Sequence, residues 1–283
     1  MPRGIDCSSP VSARAAEILQ ENGFDFVGRY LVPPSYAKAL TRQEAEIICE
    51  AGLRILCVWE TSAARMRGGA AAGREDGARA CARAKELEIP RDSILYFAAD
   101  FEAVREDMPA IRTYMEAVKQ EILPYYRAGV YGSFRVIEEL RGLVSGLWQC
   151  VAWSSGNVSD AMTVYQAQWQ GTAECRSLAD KLGFGVDINE CPDMDRAGMW
   201  SYRQPEPIPE PETGEEKMDV ERYNSIDELP KWAKPTVKKL IDRGFLRGTV
   251  VKRDKEGYPT GLDLSEDMVR LLVINDRAGV YDE

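Results

Sequence analysis

Apolar positions follow two rhythms along the first two hundred residues. Short runs rich in β-branched and aromatic side chains, "RGIDC", "FDFVGRYL", "LRILCVWE", "ILYFAADFE", "AGVYGS", "LWQCVAWS", "TVYQAQWQ" and "FGVDINE", read as eight strands. Between them, "PVSARAAEILQEN", "TRQEAEIICEAG", "GREDGARACARAKELEIP", "MPAIRTYMEAVKQEI" and "FRVIEELRGL" carry the helical period. Thr41 with Glu44 has the capping-box spacing and Gly52 closes the same helix. The last three strands follow one another through shorter, irregular connections. This alternation predicts a parallel (β/α)8 barrel with some helices reduced, an α/β fold. A doubly wound open sheet is the competitor, but "GIDCSSPVS" after the first strand lacks a phosphate-binding glycine spacing. The glycines of "RGGAAAG" read as a loop after the third strand.

The chain then changes character. "RQPEPIPEPETGEEK", residues 203–217, combines proline and glutamate without apolar period and reads as a semi-stiff linker. It separates a barrel domain, 1–202, from a small module, 218–283. In that module a helix is expected from about Glu228 to Arg243, ended by Gly244, and a second from about Ser265 to Asp276, with a polar turn around "RDKEGYPTG" between them. Two helices make a small core, which self-association or docking would complete.

Active sites of barrels gather at the C-terminal ends of the strands. "ILYFAADFE" ends in Asp100 and Glu102, which strand alternation puts on one face with Cα atoms roughly 6.6 Å apart. Like charges at that spacing raise one pKa, as a general acid at neutral pH requires. Asp6 ends the first strand, Arg29 and Tyr30 the second, Trp59 and Glu60 the third, and Tyr131 the fifth. Trp153 ends the sixth, Gln168 and Trp169 the seventh, and Asp187 and Asn189 the eighth. Acids, amides and aromatic faces at one rim suit a sugar, with its apolar C–H faces and hydroxyl edges. Each residue alone has a plainer reading. Asp6 could cap the first helix, the tryptophans could be packing, Glu60 could be a surface residue, and Arg29 could be a structural partner for an acid. The coincidence of Asp6, Asp100, Glu102 and Asp187 favours the site.

Composition narrows the chemistry. The 283 residues include no histidine, which removes Ser-His-Asp, Cys-His and His-ligated metal mechanisms and leaves proton transfer to carboxylates, Tyr, Lys or Cys. Seven scattered cysteines with no CxxC pair argue against a disulfide framework and a structural zinc. No cofactor or metal is expected. A net charge of −10 without a basic stripe disfavours nucleic acid, and no apolar run is long enough to insert in a membrane. The N-terminus has no apolar signal-peptide region, so synthesis in a cytoplasm without Sec export is expected.

"GIDCSS", "YFAADFE", "GVYGS", "YQAQWQ" and "GVDINE", in that order, resemble the glycoside hydrolase family 25 muramidases. They are closer still to the related glycoside-hydrolase-like domain of unknown function 1906, over roughly residues 3–200. The resemblance implies a lysozyme-like hydrolase of peptidoglycan in which Glu102 is the general acid. Asp100 would orient the substrate N-acetyl group that attacks the anomeric carbon, Asp6 and Asp187 would line the cleft, and Tyr131 would support the intermediate or the donor. "GRYL" followed by "VPPSYAKALT" departs from the muramidases toward the glycoside-hydrolase-like family, where a non-catalytic glycan-binding barrel is the alternative. The C-terminal module resembles those appended to wall hydrolases of bacteria and their phages. A phage or prophage endolysin acting at the cell wall after release is therefore expected.

Overall fold

The computed structural model describes residues 1–202, 222–247, 250–255 and 257–281, in two compact units, 1–207 and 208–283. The linker expected at 203–217 lies outside the described residues. Among the described residues no helix is long and apolar enough to cross a membrane.

The first unit is a closed eight-stranded barrel. Its strands are β1 (Arg3–Asp6), β2 (Phe26–Tyr30), β3 (Arg54–Trp59), β4 (Ile94–Ala98), β5 (Arg127–Gly132), β6 (Gly146–Cys150), β7 (Val164–Gln168) and β8 (Asp187–Glu190), paired in chain order. Helices α1 (Ala13–Glu21), α2 (Arg42–Glu50), α3 (Gly69–Glu86), α4 (Met108–Ile122) and α5 (Phe134–Leu140) follow the first five strands. The eight runs and five spacers expected from the apolar pattern are therefore present.

Three features differ from the expectation. First, β8 runs antiparallel to both neighbours, with Asp187 opposite Asp6 and a register shift near Gln166 and Gln168 against β7. The connection from β7 holds a sixth helix, α6 (Ala173–Leu182), capped by Thr172 and closed by Gly183 in the left-handed conformation. It returns the chain to the rim it left, so β8 starts where a parallel strand would end. Second, "RGGAAAG" is not a loop. A 3-10 turn, Arg65–Gly68, leads directly into α3, and a Cβ on Gly73 would sit 2.2 Å from the Tyr114 carbonyl oxygen. These glycines let α3 and α4 approach closely. Third, Glu44 only half completes its capping box. Its backbone N–H donates to Thr41 Oγ1 at 3.1 Å, but its carboxylate turns inward to Arg29.

Strand alternation divides the barrel's apolar residues into two sets. Val27, Ile55, Cys57, Trp59, Leu95 and Phe97 face the helices and join the larger core. Phe26, Leu56, Val58, Ile94, Tyr96, Ala98, Trp148 and Val164 fill the interior. Met194, Ala197 and Met199, beyond β8, pack onto this inner cluster, and Trp200 bridges to Ile55 near the start of β3. The N-terminal end of the barrel is thereby plugged, and the open end is the other one. All seven cysteines are buried and unpaired, used as small apolar side chains.

The second unit has its own core of Tyr223, Ile226, Leu229, Ala233, Val237, Leu240, Leu262, Leu264, Val269 and Val273. Its helices are α7 (Lys234–Asp242) and α8 (Glu266–Arg277), with two small two-stranded sheets. The first helix starts later than its pattern suggests because Pro230 interrupts the approach, and Pro235 fits at the first turn of α7.

Candidate active site

At the open end of the barrel the inward-facing residue of each strand, or of its immediate extension, meets the others. Asp6, Tyr30, Glu60, Asp100, Tyr131, Trp148, Gln166 and Asp187 line a cavity of about 120 Å³ with Val58 and Ala98. Their positions follow from period-two alternation. Gly4 and Asp6 on β1, Phe26, Gly28 and Tyr30 on β2, and Tyr96, Ala98 and Asp100 along β4 are successive inward positions. Gly28 is needed at the centre: a Cβ there would lie 2.8 Å from Asp6 Cβ and 3.1 Å from the Trp148 ring.

The floor is a hydrogen-bond network with fixed direction. Trp148 Nε1 can only donate, and it donates to Asn189 Oδ1 at 2.8 Å, so the Asn189 NH2 must face Asp6, to which it donates at 2.7 Å. Tyr131 donates its hydroxyl to Gln166 Oε1 at 3.0 Å, which aims the Gln166 NH2 at Asp6 (2.8 Å) and Asp187 (3.2 Å). The Gln170 backbone N–H donates to the other Asp187 oxygen at 2.8 Å. Tyr131 and Trp148 meet edge to face, centroids 5.0 Å apart, as the aromatic wall. On the opposite side Lys38 pairs with Glu60 at 3.0 Å and lies 4.0 Å above the Tyr30 ring.

Burial and mutual repulsion raise the acids. The Asp6 carboxyl is pushed up to about 7, first by burial and then by Asp187, against the opposing hydrogen bonds from Asn189 and Gln166. Asp187 is raised by burial and by Asp100, with the Gln170 N–H working against it. Asp100 is raised by burial and by Glu60, moderated by Lys38. Burial raises the Tyr131 phenol well above its usual value, so it stays a donor. The rim can therefore hold a proton at neutral pH while presenting acceptors and aromatic faces.

The sign of the Asp6 shift has a consequence for stability. Between its unfolded value of 3.8 and about 7 the folded state holds a proton that the unfolded chain releases. The contribution is thus full below pH 4 and is lost as pH rises through 7. Asp6→Asn, whose amide oxygen can still accept from Asn189 and Gln166, is expected to melt higher than wild type at pH 8 and alike at pH 4. A melting difference that does not change between these pH values would contradict the assignment.

Of the residues read from the sequence, Asp6, Tyr30, Glu60, Asp100, Tyr131 and Asp187 reach the cavity. Asn189 lies beneath, holding Asp6. Glu102 does not line it: β4 ends at Ala98, alternation stops in the bend that follows, and Glu102 is exposed two residues past Asp100. Arg29 belongs to the opposite strand face. It is fully buried and donates to Glu44 (2.6 Å), the Cys7 carbonyl (2.5 Å) and the Lys38 carbonyl (3.2 Å), so it is the structural partner of an acid. Trp59 also faces outward, into the helix layer beneath Arg79. Gln168 is held by Thr172 and Glu174. Trp153 and Trp169 are exposed on the loops leaving β6 and β7, Trp153 with a left-handed backbone, φ 54°. Trp148 and Gln166 are the residues sequence reasoning missed. Both lie in recognised strands, within a few residues of the positions chosen, and their inward parity was the available signal.

A one-ended barrel with a rim of acids, amides and aromatic rings is the architecture of a glycoside hydrolase-like domain. The family model of the Rv2525c-like, glycoside hydrolase-like domain matches residues 17–191, and the chain belongs to this family. The chain is similar to the uncharacterized protein FadG of Bacillus subtilis, 28% identical over 145 residues, 46% of this chain and 24% of FadG. It is 29% identical to the uncharacterized protein YbfG of the same organism over 45% of this chain and 20% of YbfG. This chain thus spans about a quarter or less of the curated relatives it matches. Among solved structures, the Tat-secreted protein Rv2525c of Mycobacterium tuberculosis, crystallised with L-tartrate, superposes with TM-score 0.56 and 21% identity, covering 71% of this chain and 99% of the other. That likeness shows the shared fold.

Proposed function

We propose that the barrel hydrolyses a glycosidic bond of peptidoglycan, as a lysozyme-like enzyme of the kind phages and prophages use against the cell wall. The observation that carries this reading is the cavity itself: three carboxyl groups with raised pKa, Asp6, Asp100 and Asp187, facing Tyr30, Tyr131 and Trp148. Exposed Trp153 and Trp169, on loops of the same rim, add aromatic surface on which sugar rings can stack.

In the proposed reaction the glycan lies across the rim with one N-acetyl sugar over the cavity. Glu102 gives its proton to the glycosidic oxygen as the bond from the anomeric carbon to that oxygen breaks. The acetamido carbonyl oxygen of the same sugar bonds to the anomeric carbon, while Asp100 accepts a hydrogen bond from the acetamido N–H. Water then adds at the anomeric carbon as the bond between that carbon and the acetamido oxygen breaks, its proton goes to Glu102, and a new reducing end leaves.

The exposure of Glu102 outside the cavity favours a second reading, a barrel that binds wall glycan without turning it over. Incubation with purified peptidoglycan distinguishes the two. New reducing ends support hydrolysis, whereas retention on the polymer with no new reducing ends from several wall types supports binding alone.

A further inference from the structure

Helix α8 closes the C-terminal module with Val269 and Val273, yet it also carries large apolar side chains facing the other way. Met268, Leu271 and Ile274 recur every third residue and are exposed, Leu271 at 59% and Ile274 at 62%. Trp232, also exposed, stands beside Ile274 and forms with Arg270, Val273 and Arg277 a groove of about 330 Å³. An apolar stripe and groove on so small a module mark an interaction surface.

The charges on α8 are compatible with a second copy of the same helix. The helix begins with Glu266 and Asp267 and ends with Arg277. Glu266 is engaged by Arg270 at 2.6 Å, and Asp276 turns inward to Lys239 (2.6 Å) and Thr236 (2.7 Å). Asp267 and Arg277 are exposed at opposite ends of one stripe. A twofold axis through Leu271, with two α8 helices antiparallel, sets Leu271 against its own copy and Met268 toward the other chain's Ile274 and its groove. The same operation brings each acidic first turn to the basic last turn of the other helix. The surface is complementary to itself, as an isologous contact requires. Met268, unbranched and adaptable, suits an aromatic-walled groove.

We infer that this face is a homodimer interface: a second copy of the chain docks antiparallel on α8 through Met268, Leu271 and Ile274, with Asp267 of each chain opposing Arg277 of the other. Sedimentation of the full chain over a concentration series tests it. Wild type is expected to move from monomer to dimer with rising concentration, and Leu271→Asp to stay monomeric with an unchanged melting curve. Asp267→Arg and Arg277→Asp, each alone, should weaken dimerisation about two- to fivefold, as exposed ion pairs do, and the two together in one chain should restore it. The charge pair decides the matter should Leu271→Asp disturb folding. A chain monomeric at every concentration, a dimer indifferent to Leu271→Asp, or a double charge variant no better than the single ones would each overturn the inference. So would a monomer whose Leu271→Asp form loses only retention on wall material, since the face would then belong to the polymer.

Discussion

Glu102→Gln is expected to lower the release of reducing ends from peptidoglycan by about 10²–10⁴-fold, the usual contribution of a positioned general acid, with the melting curve unchanged. The amide keeps the size and shape of the side chain but has no acidic proton for the leaving oxygen. Because Glu102 is exposed and lies outside the packed rim, its replacement disturbs nothing that holds the fold. Asp100→Asn should be comparably damaging for a different reason. The group still fits the cavity, so glycan binding is largely kept. The negative charge that orients the acetamido group and stabilises the developing positive charge is gone. Steady-state rates and pull-down on insoluble peptidoglycan, measured on the same samples, separate the two effects. Turnover by Glu102→Gln within a few fold of wild type would remove it from the role of acid.

The largest effect on stability is expected beneath the rim rather than in it. Arg29 and Glu44 are both buried, joined at 2.6 Å, and Glu44 also accepts from the Val11 N–H at 2.8 Å. The pair ties β2 to the start of α2 and to the segment before α1. Glu44→Ala leaves a guanidinium in the core with only carbonyl partners. Removing one member of such a pair costs about 3–5 kcal/mol, and at roughly 2–4 °C per kcal/mol for a domain of this size the melting temperature should fall by on the order of 10 °C. The double variant Arg29→Met, Glu44→Leu should recover much of that loss, since no unpaired charge remains. Thermal unfolding of the three variants checks this. A single variant melting within about 2 °C of wild type would show that the pair is not a structural tie.

Much of this architecture was legible from the apolar rhythm alone, since a strand buried on both faces and a helix with one apolar stripe leave different marks in sequence. The eight strands and five helices appear where their runs fall. What escaped was direction and parity. Nothing in "FGVDINE" distinguishes a parallel strand from an antiparallel one, and the direction of β8 depends on how α6 returns the chain. Asp187 reaches the rim as the first residue of β8 rather than near its end. Which of two neighbours faces inward follows from strand alternation: Arg29 and Tyr30, or Trp59 and Glu60, are adjacent in sequence and so cannot both face the interior. Tyr30 and Glu60 take the inward positions, while Arg29 and Trp59 face the helix layer. Strand ends set the remaining error. Placing the end of the sixth strand at Trp153 instead of Cys150 hid Trp148, and extending the fourth to Glu102 put that residue in a cavity it does not line.

Hydrolysis of a glycosidic bond by the barrel is tested by mass spectrometry of soluble products from peptidoglycan digested in ¹⁸O-labelled water. Wild-type protein should release glycan fragments carrying one ¹⁸O at the new reducing end, because water enters at the anomeric carbon, and Glu102→Gln should release almost none. Absence of labelled glycan ends at any pH, or release of label on peptide carboxyls with the glycan strands intact, would contradict it.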